Sequence, residues 1–266
     1  MTVITLLSDF GLADPYVAQM KAVIRSNSSE AEIIDISHEI EKHNIASGSY
    51  VLETSLPFFP KGSIHVAVVD PGVGGNRLPI AVACIQGVLI GPDNGLLARA
   101  ADRLGFQTAY LVQNSQFIRE RPSSTFHGRD IFAFTAAKIS QGRRPSEVGP
   151  ALSSISQLDF PDASFSKNRV TCRVLYVDSF GNVVTNISEV DSERFGFYEG
   201  VHVRIIQSRG EDWHDGLVTK SYFDIPSRRF GLLRGSQGYL EIALKEASAA
   251  ARLHVKPLDS LEIRFS

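Results

Sequence analysis

At 266 residues, 43% apolar and 21% charged, the chain has the composition of a soluble globular protein of one large or two medium domains. A formal net charge of -2 gives no cationic footprint for nucleic acid, and no apolar run reaches the roughly 18 residues of a membrane span. Cys84 and Cys172 lie singly in apolar segments and read as buried free thiols; with an N-terminus that lacks a basic region and a leader cleavage site, they point to a cytoplasmic protein.

The first 155 or so residues alternate between strand and helix patterns. Strands are expected over 3–7, 32–36, 63–69, 80–85, 88–90 and 109–112. Helical stripes are expected over 16–24, 96–104 and 130–139, where apolar residues recur at helical spacing. This alternation predicts an α/β domain with a mainly parallel sheet over residues 1–155. A linker rich in Ser, Asp and Pro follows over 156–167. Residues 168–266 carry short β runs over 170–177, 183–187, 201–206, 217–223, 231–234, 239–244 and 261–265. Gly181-Asn182, Glu199-Gly200 and Arg209-Gly210 separate some of these runs as turns. Helix content there is confined to a short stretch over 245–251, so the second domain is expected to be an all-β small barrel.

Polar groups collect where the predicted parallel strands end. Asp9 follows the first strand, Asp35 and His38 the second, Asp70 the third, and Asp93-Asn94-Gly95 the run over 88–90. Ligands of open parallel sheets bind at the carboxyl ends of the strands, so four such deliveries point to a site. The turn Asp70-Pro71-Gly72-Val73-Gly74-Gly75-Asn76-Arg77 is the densest of them, holding a carboxylate and a guanidinium near one another. A second cluster is Thr125-Phe126-His127-Gly128-Arg129-Asp130, where Thr125 is expected to cap a helix beginning near Arg129. A histidine beside a glycine at that entrance suits proton handling. The third cluster runs from Asp178-Ser179-Phe180-Gly181-Asn182 to Thr185-Asn186. It forms a hairpin turn and carries more hydrogen-bonding groups than a turn needs; the amide of Asn182 suits the edge of adenine. Glu211-Asp212 with His214-Asp215 has the look of metal ligands but reads as a solvated loop. Dinucleotide, Walker and serine-hydrolase fingerprints are missing. On these residues alone, a divalent-metal phosphohydrolase ranks first.

The ordered set of clusters resembles the S-adenosyl-L-methionine (SAM) hydrolase family, adenosine-forming, also called SAM hydroxide adenosyltransferases, which is related to the SAM-dependent fluorinases and chlorinases. The resemblance also takes in Leu7-Ser8-Asp9-Phe10-Gly11, Asp14 with Tyr16-Val17, Asp35-Ile36-Ser37-His38, Pro92-Asp93-Asn94-Gly95 and Gly235-Ser236-Gln237-Gly238-Tyr239-Leu240-Glu241. It implies a Rossmann-like N-terminal domain and a C-terminal β-barrel, usually as a homotrimer with sites at subunit interfaces. It implies hydrolysis of SAM to adenosine and L-methionine with no cofactor and no metal. By the same resemblance Asp70, Arg77 and His127 are the catalytic residues. Asp9 would bind ribose, Asp14 and Asp178 the methionine side, Asn182 and Tyr222 adenine, and Ser236 the amino-acid end. Gly235-Ser236 stands where relatives often have Asn-Ser, and Ala247-Ser248-Ala249-Ala250 where they often have Gly-Asn-Ala-Ala.

The sulfonium makes C5′ of SAM electrophilic and leaves as a neutral thioether, so the site needs a positioned nucleophile more than a general acid. Asp70 and His127 are expected to orient water and take its proton, with Arg77 holding the developing hydroxide or fixing Asp70. A 5′-halogenase is the alternative, but the chain keeps Arg77 and His127 and lacks the insertion that fluorinases carry after that arginine. A non-catalytic SAM or adenosine binder is the third reading.

Overall fold

The computed structural model describes residues 2–158, 162–207 and 212–265. The chain divides into two compact units, Met1–Asp159 and Phe160–Ser266.

The first unit is built on a seven-stranded sheet: β1 (Val3–Ser8), β2 (Glu32–Ser37), β3 (Ser63–Val68), β4 (Pro79–Cys84), β5 (Gly87–Pro92), β6 (Phe106–Leu111) and β7 (Ala151–Leu152), in the order β2-β1-β3-β5-β4-β6-β7. The pairs β1–β2, β1–β3 and β3–β5 are parallel, while β4 runs antiparallel to both β5 and β6. The inner strands β1, β3, β4 and β5 are largely apolar because both faces are covered. On one face Leu6, Val66 and Val68 pack with Met20 and Ile24 of α1 (Tyr16–Asn27). On the other, Leu7, Ala67 and Val69 pack with Leu52 and with Ala100 and Leu104. Leu52 belongs to α2 (Ile45–Ser55), and Ala100 and Leu104 to α3 (Ala98–Leu104). Alternate residues of one strand therefore feed two cores, as the period of two requires.

The helix over 45–55 has no counterpart in the sequence expectations. The stripe over 130–139 is a π-helical turn, Gly128–Ala133, running into α4 (Phe134–Ser140). Among the described residues no helix is long and apolar enough to cross a membrane. Cys84 and Cys172 are free and buried, and burial pushes both thiols up to about 12.

The second unit holds β8 (Ser164–Ser166), β9 (Arg169–Val177), β10 (Val183–Ser188), β11 (His202–Gln207), β12 (His214–Val218), β13 (Phe230–Arg234), β14 (Tyr239–Ala243) and β15 (Ser260–Phe265). Their order is β10-β14-β13-β12-β11-β15-β9, and pairing of β9 with β10 closes them into a seven-stranded barrel with β8 outside on β9. Val174, Val183, Ile205, Leu232, Ile242 and Ile263 fill its interior. Two expectations need correction. The strand expected over 217–223 ends at Val218, and Tyr222–Asp224 form a 3-10 turn. Two short helices occur, α5 (Glu189–Arg194) and α6 (Ala249–Leu253), each started by a serine side chain, Ser188 and Ser248. The Arg209-Gly210 turn and Glu211 lie outside the described residues.

Candidate functional site

In the first unit the carboxyl ends of β1, β2, β3 and β5 deliver the polar residues that the pattern of strand ends predicts. Past Val69, Asp70 opens an exposed turn whose charged side chains nevertheless turn inward; those of Asp70 and Arg77 are 4% and 9% exposed. Arg77 Nε donates to both carboxylate oxygens of Asp70, at 2.9 and 3.0 Å, and Nη2 donates to Oδ2 as well. A bidentate fork of this kind fixes both the position and the plane of the carboxylate. Nη2 also lies 2.8 Å from Nδ1 of His127. Guanidinium can only donate, so Nδ1 accepts and the neutral ring carries its proton on Nε2. Burial and then the Arg77 charge hold His127 below its usual range, against the pull of Asp70 and Asp130, which agrees with that neutral tautomer. The three residues are one hydrogen-bonded group.

Two local features bring them together. Gly74 has φ +76 and packs so closely that an added Cβ would stand 2.6 Å from the carbonyl oxygen of Ser124, so the turn docks directly on the loop that leads to His127. Asn94 donates to the carbonyl of Val69 at 2.9 Å, which anchors the residue before Asp70. Asn94 is thereby explained by backbone anchoring, and Asp93 likewise accepts from the Ser156 amide at 2.7 Å.

The loop before His127 is organised differently from the expectation. Thr125 caps nothing: its amide and hydroxyl both meet the Ser123 hydroxyl. The organising group is Asp130, fully buried, which accepts from Arg119, Arg129 and the Ser123 amide. Burial raises its carboxyl, but these hydrogen bonds outweigh burial and hold it at about 2. Phe126 meets Phe10 and Tyr16 at ring distances of 5.7 and 5.3 Å, linking this loop to the Asp9 turn. Asp9 is buried and accepts the His43 amide at 2.9 Å. Asp14 is exposed just before α1.

In the second unit Asp178, Asn182 and Tyr222 line one cavity of about 680 Å³ with Phe180, Leu244 and Ser248. Asp178 accepts from the amides of Phe180 and Asn182 and from the Asn182 side chain at 2.8–2.9 Å, so it also braces its own hairpin turn. Tyr222 donates to the buried Glu241, whose carboxyl is pushed up by burial and by Asp178 in spite of that hydrogen bond. Glu241 is a partner that spacing could not reveal, nineteen positions from Tyr222. Ser236 is exposed on the β13–β14 turn and does not line the cavity. Among the described residues no group of three or more His, Cys, Asp or Glu is placed to hold a metal ion.

A family model for the SAM hydroxide adenosyltransferase N-terminal domain matches residues 4–149, and one for the C-terminal domain matches residues 172–262. A protein of Methanocaldococcus jannaschii named (R)-S-adenosyl-L-methionine hydrolase is 37% identical, with 100% of this chain and 97% of that protein covered. A fluorinase of an Actinoplanes species is 27% identical over 96% of this chain and 94% of its own length. The crystal structure of an uncharacterized conserved protein from Thermotoga maritima superposes with a TM-score of 0.91 at 35% identity, covering 98% of this chain and 99% of that one.

Proposed function

The chain belongs to the SAM hydroxide adenosyltransferase family, and on that premise we propose that it hydrolyses SAM to adenosine and L-methionine, with Asp70, Arg77 and His127 acting on the attacking water. The observation that carries this reading is the Asp70–Arg77–His127 group at the end of β3. Water attacks C5′ of the ribose, the C5′–S bond breaks, and its electron pair leaves on the thioether sulfur of methionine. One proton of the water is released.

The hydrogen bonds divide the labour. Arg77 is committed to Asp70 and to Nδ1 of His127, so its role is to fix both. His127 then presents Nε2–H, a donor that holds the attacking oxygen and stabilises the charge growing on it. Asp70 is the acceptor left to align the water and take its proton. Asp9 and Asp14 hold the ribose and methionine ends, while Asp178, Asn182, Tyr222 and Ser236 serve the site of an adjacent subunit. The reading includes a cytoplasmic homotrimer that needs no cofactor.

The test is incubation of the purified protein with SAM in chloride and in fluoride buffers, with products separated chromatographically. Adenosine and methionine in equal amounts are expected in both. A 5′-halo-5′-deoxyadenosine product would make the chain a halogenase, and binding of SAM with no adenosine released over hours would make it a binding protein.

A further inference from the structure

Beneath the Asp9 turn lies a serine–histidine–aspartate arrangement, and burial excludes it as a nucleophilic triad. Ser8 is 0% exposed and His38 4% exposed, so no substrate reaches the hydroxyl. Its polar contacts run from Lys21 through Asp35 and His38 to Ser8. Lys21 donates to Asp35 at 2.6 Å. Nε2 of His38 lies 3.2 Å from the other oxygen of Asp35, an electrostatic contact that falls short of hydrogen-bond geometry, and Nδ1 lies 2.7 Å from the Ser8 hydroxyl. The negative charge of Asp35 beside Nε2 favours the ring proton there, which leaves Nδ1 to accept the hydroxyl proton of Ser8. The Ser8 oxygen in turn accepts from the Phe10 amide at 3.2 Å. The carbonyl of His38 accepts from the Gly11 amide at 2.7 Å. Both sides of Asp9 are thus tied to one residue at the end of β2.

We propose that His38 is a positioning residue for Asp9: its ring, between Asp35 and Ser8, locks the Ser8–Gly11 turn so that the buried Asp9 carboxylate meets the ribose hydroxyls already oriented. The chain of contacts explains why Asp35 and His38 stand at a strand end beside the site without joining the Asp70 group. It rests on the reading of Asp9 as the ribose ligand. Preorganisation of this kind improves binding of the nucleoside and leaves the chemistry at C5′ to other groups.

Three substitutions separate the two faces of the ring. His38→Asn keeps an acceptor at the place of Nδ1, His38→Gln puts its amide at the place of Nε2, and His38→Ala has neither. Adenosine affinity by calorimetry, steady-state hydrolysis of SAM, and hydrogen exchange at the Phe10 and Gly11 amides are measured on each. Expected for His38→Ala and His38→Gln is a rise of about tenfold in KM and in the adenosine Kd, the cost of one misplaced polar contact, with kcat within about threefold. Both should also exchange Phe10 and Gly11 faster. His38→Asn should stay within about threefold of the wild type in all three. Unchanged binding in His38→Ala, or rescue by Gln and not by Asn, would overturn the proposal. If His38→Ala does not fold, the Asn and Gln pair still decides. Wild-type protein that releases no adenosine from SAM counts against the functional reading alone, because the exchange rates judge the relay without any turnover.

Discussion

Asp130→Asn tests how the His127 loop is held. The wild-type carboxylate is fully buried, and its partners Arg119 and Arg129 are 45% and 26% exposed. An asparagine keeps the shape, but its amide presents N–H to two guanidinium groups and leaves them without a counter-charge. Breaking a buried pair costs roughly 3–5 kcal/mol, and the exposure of both arginines puts the expected loss at the lower end, about 3 kcal/mol. For a unit of this size that is a fall of roughly 6–12 °C in Tm. The pH dependence supplies an independent check. The folded carboxyl titrates at about 2, against an ordinary value of 3.8. Between those values the unfolded chain binds more protons, so the stabilisation is complete above the unfolded value and is lost as pH falls through the folded one. The difference between wild type and variant should hold from pH 7 to about 4 and shrink by roughly 1 kcal/mol by pH 3. Urea unfolding followed by circular dichroism over this range reads both quantities. A loss below about 1 kcal/mol at pH 7, or a difference that stays flat to pH 3, would refute the assignment of Asp130 as the buried anchor of the loop.

Replacing His127 with alanine should lower kcat by about 10²- to 10³-fold with KM little changed, measured by adenosine release; equal losses in kcat and in SAM affinity would remove its chemical role. Because Arg77 occupies Nδ1 and the ring titrates below the ordinary histidine value of 6.5, kcat/KM should be level through neutrality and decline only in acid. An acid inflection above that value would contradict a neutral His127. Gly181→Ala should raise KM and destabilise the second unit by at least about 1 kcal/mol, since the backbone there has φ +83 and the new Cβ would stand 2.1 Å from the Ser248 hydroxyl. Excess EDTA should leave hydrolysis of SAM unchanged, and loss of activity restored by a divalent cation would revive the metal-dependent reading.

Most strands of both units are legible because their sequence pattern matches their burial, as in β3, where all six residues are buried between two helical layers, whereas the short β7 and β8 and most of β12 are not. Helix α2 is not legible, since Ile45–Ser55 is rich in Ser, Thr and Gly, all weak helix formers. It forms because small side chains let it pack closely: Ala46, Ser47, Gly48 and Ser49 are buried, and a Cβ on Gly48 would stand 3.0 Å from Leu96 and Val69. Tertiary contact there overrides propensity. In the candidate site, the strand-end aspartates can be read because a carboxylate after an apolar run is out of place on its own terms. The Arg77–His127 contact cannot, because it spans fifty positions and depends on a glycine approaching a backbone carbonyl. Thr125 fails as a cap for the same reason: the buried Asp130 takes over the loop from within.

The π-helical turn that follows His127 sets stability and use against each other. Such a turn holds one residue more than the regular helix needs, and removing it would give a better-bonded, more stable segment. It would also swing everything before it by about 100°, the angle of one helical residue. His127 would then leave Arg77, and the helix would gain regularity as the site lost its third member. The irregular turn therefore gives up regular helical bonding at the point where the imidazole is set in place.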